Sequence, residues 1–472
     1  MKNMTAMKKL IATAPLLLGA TMAATLTAGA APEQKKPNIV FILIDDMGYE
    51  CVGAYGSATY KTPNIDALAK DGVRFTYAWA QPLCTPSRVE LMTGKYNYKN
   101  YVDFGFMNQD QKTFGNLAKM AGYTTCIAGK WQLGANSKLP AHFGFDNYCL
   151  WQLNFRRTQN AERYADVLLE ADGKILPDPR DPDSYGPDYL ENYVEKFIDN
   201  NKDKPFFLYY PMVLVHEPFV STPHSKDWKT NIQGRHKSNT KYFPDMMAYC
   251  DLMIGRLVAK LKKEGLYENT LILITGDNGT NKQITSLMQD GTRIRGGKGM
   301  TTEAGTREAL VAAYGTRQGP ARTCDDLVDF TDFMPTMAQA MGIAVPKEWD
   351  TDGTSFLPQV MGETGTPRKW VFCHYDSFFK GPDKPQADAK RYIRDHQYKL
   401  YSTGDFYDVK ADIFEQSPIP PGAGTKEAEA ARKFLSSELA KFPPWKVGDI
   451  PVKWVELPAF KVRPLLWKKK DS

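Results

Sequence analysis

Four short apolar runs, each stopping at residues able to do chemistry, constrain this chain more than any other feature. Asn38-Ile-Val-Phe-Ile-Leu-Ile44 is continuous and β-branched and ends at Asp45-Asp46. Tyr123–Ala128 ends at Gly129-Lys130, Pro205–Tyr210 leads to His216, and Thr270–Thr275 ends at Gly276-Asp277-Asn278. A run that is apolar at every position suits a strand covered on both faces, as in a parallel sheet between helices. Helical patterns lie between these runs. Thr62-Pro63 opens a segment with Ile65, Leu68 and Ala69 at helical spacing, closed by Gly72, and helical stretches over Asp188–Asn200 and Met246–Glu264 precede the last two strands. Strands alternating with helices predict a large, mostly parallel α/β sheet sandwiched by helices. Ligands of such sheets sit beyond the carboxyl ends of the strands. Asp45, Asp46, Lys130, Asp277 and Asn278 are therefore expected on one rim.

The texture changes after about residue 365. Trp370–His374, Lys390–Arg394 and Tyr398–Tyr401 read as short antiparallel strands, and Ala428–Lys441 as an amphipathic helix. The expected organisation is a catalytic α/β domain over 37–365 and a smaller C-terminal α+β subdomain with a short antiparallel sheet over 366–472.

The N-terminus reads as an address. Lys8-Lys9 precede an apolar stretch from Leu10 to about Ala24, and Ala28-Gly29-Ala30 fits a small-x-small cleavage site. Pro15, Gly19 and several threonines interrupt the stretch, and no other run reaches the ~20 apolar residues of a membrane span. The reading is a signal peptide over 1–30 and an exported, periplasmic or secreted chain without a stable membrane span. Losing Lys2, Lys8 and Lys9 lowers the formal charge from +6 to +3. That is too small to argue for a nucleic-acid partner, and the basic run Lys468-Lys469-Lys470 reads as a solvated tail.

Seven cysteines is an odd number for an exported chain. Cys84 stands apart from the other six, Cys51, Cys126, Cys149, Cys250, Cys324 and Cys373, which show no metal-ligand spacing and are compatible with disulfides or with buried thiols. Two adjacent carboxylates at a strand end repel unless a cation neutralises them, and hard oxygen donors suit calcium or magnesium. Asp45-Asp46 and Asp277-Asn278 are both such pairs, although either alone also fits a solvated turn. Gly296-Gly297-Lys298-Gly299 lacks the G-x-x-x-x-G-K-[ST] spacing of a nucleotide phosphate loop. The aromatic segments Tyr148–Trp151 and Tyr375–Phe379 suit sugar-stacking walls or core.

Cys84-Thr85-Pro86-Ser87-Arg88, with Leu91, Thr93 and Gly94, resembles the C-x-P-S-R signature of type I sulfatases in the alkaline-phosphatase superfamily. The resemblance is close over about 37–345. It implies an alkaline-phosphatase-like fold and hydrolysis of a sulfate ester, most naturally a sulfated carbohydrate. A formylglycine-generating or radical maturation enzyme would convert Cys84 to formylglycine (3-oxoalanine). One calcium ion, rather than magnesium, would be held by Asp45, Asp46, Asp277 and Asn278 with residue 84. The resemblance makes Cys84, Arg88, Lys130, His216 and Lys298 the catalytic set, with Lys130, Lys298 and Gln132 contacting substrate.

In the family's chemistry one hydroxyl of the hydrated aldehyde attacks sulfur, and the other expels sulfate by C–O cleavage. His216 is placed to protonate the leaving alcohol. Two departures stand out. The family's G-K-W-H-L-G segment reads Gly129-Lys130-Trp131-Gln132-Leu133-Gly134 here, which removes a base for sulfate release, and E-G-G reads Glu303-Ala304-Gly305. His142, His224 and His374 remain as other candidate bases. Alternatives are a phosphodiester or phosphonate monoester hydrolase using the same aldehyde, and a catalytically impaired sulfate-ester binding protein.

Overall fold

A computed structural model describes residues 35–153, 163–176, 184–376, 389–444, 450 and 453. The leader at 1–30, the basic run at 468–470 and the aromatic positions 377–379 lie outside the described residues.

The first eight strands in chain order are β1 (Asn38–Ile44), β2 (Val73–Trp79), β3 (Thr124–Lys130), β4 (Asn147–Trp151), β5 (Leu169–Ala171), β6 (Lys174–Leu176), β7 (Phe206–Pro211) and β8 (Thr270–Gly276). A hairpin of β9 (Thr285–Leu287) and β10 (Arg293–Arg295) follows, then β11 (Arg307–Ala313) and β12 (Arg322–Asp329). Ten of these make one sheet in the order β12-β2-β11-β8-β1-β7-β3-β4-β5-β6. Its centre, β8-β1-β7-β3-β4, is parallel throughout. β11 runs antiparallel between β8 and β2, and β5 and β6 finish the other edge antiparallel.

β1 shows why the centre is apolar at every position. Val40, Ile42 and Ile44 enter the core on one face with Leu190, Val194, Ile254 and Leu257 from helices Gly186–Asn201 and Phe243–Lys263. Ile39, Phe41 and Leu43 enter the core on the other with Phe114, Leu117, Phe333 and Met337 from helices Phe114–Met120 and Phe333–Ala340. Side chains alternate across a strand, so a strand covered on both sides must be apolar at odd and even positions alike.

The helix expected after Thr62 spans Pro63–Asp71. Thr62 does not cap it through its side chain; the Asp251 carboxylate, from helix Phe243–Lys263, accepts the N–H groups of Asn64 (3.1 Å) and Ile65 (2.9 Å). Those are orphan donors of the first turn, so the cap is tertiary. Gly72 ends the helix without a left-handed turn: φ is −109°, and a Cβ there would lie 2.2 Å from the Ala312 carbonyl.

The C-terminal part carries β13 (Val371–Tyr375), β14 (Lys390–Arg394), β15 (Tyr398–Tyr401) and β16 (Phe406–Asp408) as an antiparallel sheet in that order. Helix Lys426–Leu439 covers it through Ala428 and Leu435, packed on Ile393, Leu400 and Phe406. Cys373 Sγ meets Gln81 Oε1 at 3.0 Å, and Arg394 pairs with buried Glu303. All seven cysteines are buried free thiols, so the thiol alternative holds for the six beside Cys84. Tyr148–Trp151 is buried in the core.

Arg368 leads into the small sheet and clasps the end of the large one. Its guanidinium donates to both oxygens of buried Asp332, to Thr331 Oγ1 and to Tyr96 Oη. Arg368→Ala strands that carboxylate, and the free energy of unfolding should fall by about 3–5 kcal/mol. Urea titration should show this, with partial recovery in Arg368→Ala/Asp332→Asn.

Candidate active site

β1 and β8 end in register, Ile44 opposite Gly276, so Asp45-Asp46 and Asp277-Asn278 leave the sheet side by side. The Asp46 N–H donates to Asp277 Oδ1 (3.0 Å), and Asn278 Nδ2 donates to Asp46 Oδ1 (2.8 Å). Backbone bonds Asp45 N to Leu214 O and Val215 N to Asp45 O, both 2.8 Å, tie the loop after β7 to this corner and so deliver His216. Lys130 is the last residue of β3. Gly129 before it has φ +133°, and a Cβ there would sit 1.9 Å from the Pro211 carbonyl, so only glycine lets β3 lie this close to β7.

β2 is parallel to β8 through the antiparallel β11 between them, so its end reaches the same rim. There the buried helix Cys84–Thr93 begins. Each part of the cysteine motif has a job. Ser87 Oγ donates to Gln81 O (2.9 Å), and Pro86 O accepts from Asn97 Nδ2 (2.9 Å). Arg88 Nε and Nη2 both reach Asp277 Oδ2, at 2.9 and 2.7 Å. Residue 84 thus lies in the first turn, where unpaired N–H groups and the helix dipole favour a developing oxyanion.

Buried carboxylates and cations interlock around this turn. Asp45 receives Lys130 Nζ at 2.8 Å, Arg163 Nη1 at 2.6 Å and Arg88 Nη2 at 3.7 Å. Asp46 receives Lys298 Nζ at 2.6 Å, and the same ammonium lies 2.7 Å from His216 Nε2. Burial would raise Asp45, but Lys130 and the other cations outweigh it and hold it well below the carboxylate range. Burial, helped by Asp45 and opposed by Arg88, pushes Asp277 up to about 6. Burial, with Arg163, Lys298 and Lys130, pushes His216 well below its usual value, so the imidazole is neutral. Its Nδ1–H donates to Glu217 O (2.5 Å), which leaves Nε2 as the acceptor for Lys298. Behind the rim, Glu50 and Glu308 are fully buried, and none of their carboxyl oxygens has a hydrogen-bond partner. Burial raises the affinity of both for protons.

Gln132 is at the rim with φ +50°, its Oε1 4.0 Å from Cys84 Sγ. Its Nε2 donates to Gln152 Oε1 (2.6 Å), fixing the amide so that its oxygen faces residue 84. His142 bonds Gln109 O, His224 packs edge-on against Tyr249, and His374 Nδ1 accepts from Arg391. None of these partners, Gln109, Tyr249 and Arg391, is a residue of the rim.

Asp45, Asp46 and His216 place donor atoms within 4.8 Å of one another. Cys84 is not in that group; Asp277 and Asn278 adjoin it through their bonds to Asp46. A hard cation fits the residues present: three carboxylates and one amide crowd together, and Asn278 Oδ1 is buried without a hydrogen-bond partner. Arg163 and Gln152 escaped the sequence reading. Arg163 stacks on Trp151 (4.2 Å) and sits in a segment without periodicity or motif. No charge imbalance pointed to it either, because Arg88, Lys130 and Lys298 already match Asp45, Asp46 and Asp277 in number.

Strand-end carboxylates, lysines and a cysteine at a helix start, on a ten-stranded mostly parallel sheet, define an alkaline-phosphatase-like hydrolase. The family model described as Sulfatase matches residues 37–343, and one described as N-sulphoglucosamine sulphohydrolase, C-terminal, matches 297–440. The chain belongs to the type I sulfatase family and is a sulfuric ester hydrolase. It is 29% identical to Arylsulfatase A of Homo sapiens over 405 residues, covering 80% of this chain and 76% of that protein. It is 30% identical to N-acetylgalactosamine-6-sulfatase of Canis lupus familiaris over 393 residues, covering 76% and 72%. The crystal structure of Ps i-CgsB in complex with k-i-k-neocarrahexaose matches with TM-score 0.70 and 26% identity, covering 86% of this chain and 92% of that one.

Gly129→Ala should push Lys130 out of place, and turnover should fall on the order of 10²-fold, as for a displaced catalytic group. Steady-state kinetics beside a melting curve would separate this loss from unfolding.

Proposed function

We propose that this sulfatase is exported and hydrolyses a sulfated carbohydrate, with formylglycine at residue 84 as nucleophile and one calcium ion at the strand-end rim. The observation that carries the reading is the meeting of Cys84, at a helix start, with Asp45, Asp46, Asp277, Asn278 and Lys298 on one rim. The C-x-P-S-R signature supports the modification. For the carbohydrate the support is the similarity to N-acetylgalactosamine-6-sulfatase and to the carrahexaose-bound structure. Among the described residues no helix is long and apolar enough to cross a membrane. We assign 37–365 to the catalytic domain and 366–472 to the C-terminal subdomain.

Asp45, Asp46, Asp277 and Asn278 would hold the cation, which when bound draws charge from a sulfate oxygen and from the oxygen on residue 84. As the hydrated aldehyde, residue 84 would supply one hydroxyl for attack on sulfur and a second for release of sulfate. Arg88 anchors Asp277 and keeps that carboxylate turned to the rim. Lys130 and Lys298 neutralise charge on the sulfate oxygens. Lys298 Nζ lies 2.7 Å from His216 Nε2, so the imidazole would pass a proton to the departing oxygen by taking one from the Lys298 ammonium, which is left as the amine. Gln132 Oε1 accepts a hydrogen bond from residue 84 and orients it; an amide cannot take the proton, so sulfate release relies on a weaker base than the usual histidine.

Peptide mass spectrometry across residue 84, on active protein from its native host, should show an aldehyde; an unmodified thiol overturns the mechanism. Aryl sulfate should turn over faster than aryl phosphate, and the reverse would favour the phosphoryl reading. Chelation should abolish activity and calcium restore it. Lys298→Ala should lower kcat/KM by about 10²–10³-fold. His216→Ala should cost far more on a sugar sulfate than on 4-nitrophenyl sulfate, whose leaving oxygen needs no proton.

A further inference from the structure

The small sheet carries two cations for which the rim chemistry has no use. Lys390 and Arg391 lie on β14 opposite Tyr375 and His374 of β13, and among the described residues neither forms an ion pair with a carboxylate. Half-buried Arg391 spends Nε on His374 Nδ1 (2.7 Å) and Nη1 on Pro443 O (2.6 Å), with the Tyr98 ring 5.8 Å away. Both polar partners are neutral: burial, with Arg391, pushes His374 down to about 3. Burial without a carboxylate pulls Arg391 itself down to about 10. A guanidinium withdrawn from water with no anion against it among the described residues is costly, and it marks a place where an anion is gained on binding.

These residues border a cavity of about 310 Å³, lined also by Tyr375, Ser402 and Phe442. Tyr375 links it to the rim. Its hydroxyl stands 3.8 Å from where a Cβ of Gly299 would be, and Leu83 closes the same spot at 3.9 Å. Gly299 follows Lys298 and bonds Pro82 O (2.7 Å), and Leu83 precedes residue 84. The cavity therefore begins one side chain beyond the seam where the lysine loop meets the nucleophile turn. Its size admits one sugar unit.

We propose that Arg391 and Lys390 form a subsite for a second anionic group, a sulfate or a carboxylate, on the sulfated carbohydrate whose scissile ester lies at residue 84. Arg391 offers Nη2 and the outer edge of a planar fork to two anion oxygens, Lys390 adds a point charge at the mouth, and Tyr375 and Phe442 cover the sugar faces. The subsite rests on the carbohydrate reading above and makes this enzyme selective for polyanionic chains over singly sulfated ones.

Isothermal titration calorimetry with three disaccharides tests it: one disulfated, one monosulfated with a uronate, and one monosulfated and otherwise neutral. Full-length enzyme should bind at least one doubly anionic probe about tenfold more tightly than the singly anionic one, and which one it is separates sulfate from carboxylate. Arg391→Gln should bring that ratio to about one, Arg391→Lys and Lys390→Gln should each keep part of it, and the exposed Lys410→Gln should keep it all. A lost ratio with an unchanged melting temperature supports the subsite. Equal binding of all three probes by the unaltered enzyme, or the same ratio in Arg391→Gln, overturns it. Turnover of 4-nitrophenyl sulfate is followed alongside, so failure of the sulfatase chemistry is read separately from failure of the subsite.

Discussion

The in-register ending of β1 and β8 is the constraint on which the site depends. With Ile44 opposite Gly276, two acidic turns emerge within hydrogen-bond reach and cannot avoid each other. Three buried carboxylates, Asp45, Asp46 and Asp277, then have to be matched, and Arg88, Lys130, Arg163 and Lys298 arrive from four different segments to match them. Removing one partner from such a set leaves an uncompensated charge in a low-dielectric interior, which is why the network holds its geometry. The same cations that neutralise the carboxylates are the ones a sulfate ester would meet. Binding and folding thus draw on one electrostatic arrangement.

Much of this was legible in sequence because the signals were local and strong. β1, β14 and β15 fall on the residues expected of them, and the main helices fall within a few residues of theirs. A run apolar at every position has few ways to be buried, and an acidic pair at its end has few ways to be satisfied. Chemistry at the carboxyl ends of a parallel sheet then brings Asp45, Lys130 and Asp277 together without knowledge of any contact. What escaped was set by tertiary geometry. β5, β6 and β11 are antiparallel because of where neighbouring strands end, which no residue pattern encodes. Thr62-Pro63 marks the start of helix Pro63–Asp71, but its first turn is capped from helix Phe243–Lys263, a contact that exists only in the folded chain. Arg163 lies in an irregular segment, and its pairing with Asp45 exists only in the folded chain.

The cation excess has a consequence for how the site discriminates. Four cations against three carboxylates leave a surplus of positive charge before any metal ion is counted, and burial of Asp46 and Asp277 raises their affinity for protons. A divalent ion held by those carboxylates would take the place of Lys130 and Lys298 on them, and the two ammonium groups would then be left for an anion. On the proposed function, holding the cation and preparing the rim for sulfate would be one event.

Gln132 shows where the charge arrangement stops helping. On the proposed formylglycine chemistry, releasing sulfate from residue 84 would require a proton to leave, and every ionised group close to that residue apart from the carboxylates is a cation. Those carboxylates are engaged by lysine, arginine or a neighbouring amide, and the Gln132 amide is locked to Gln152 with its oxygen turned inward. A surrounding field this positive lowers the pKa of a hydroxyl on residue 84 and so reduces the strength of base that the step demands. On the proposed chemistry a glutamine could then stand where the family resemblance expects a histidine: the field would make the hydroxyl acidic, and the amide would only have to aim it.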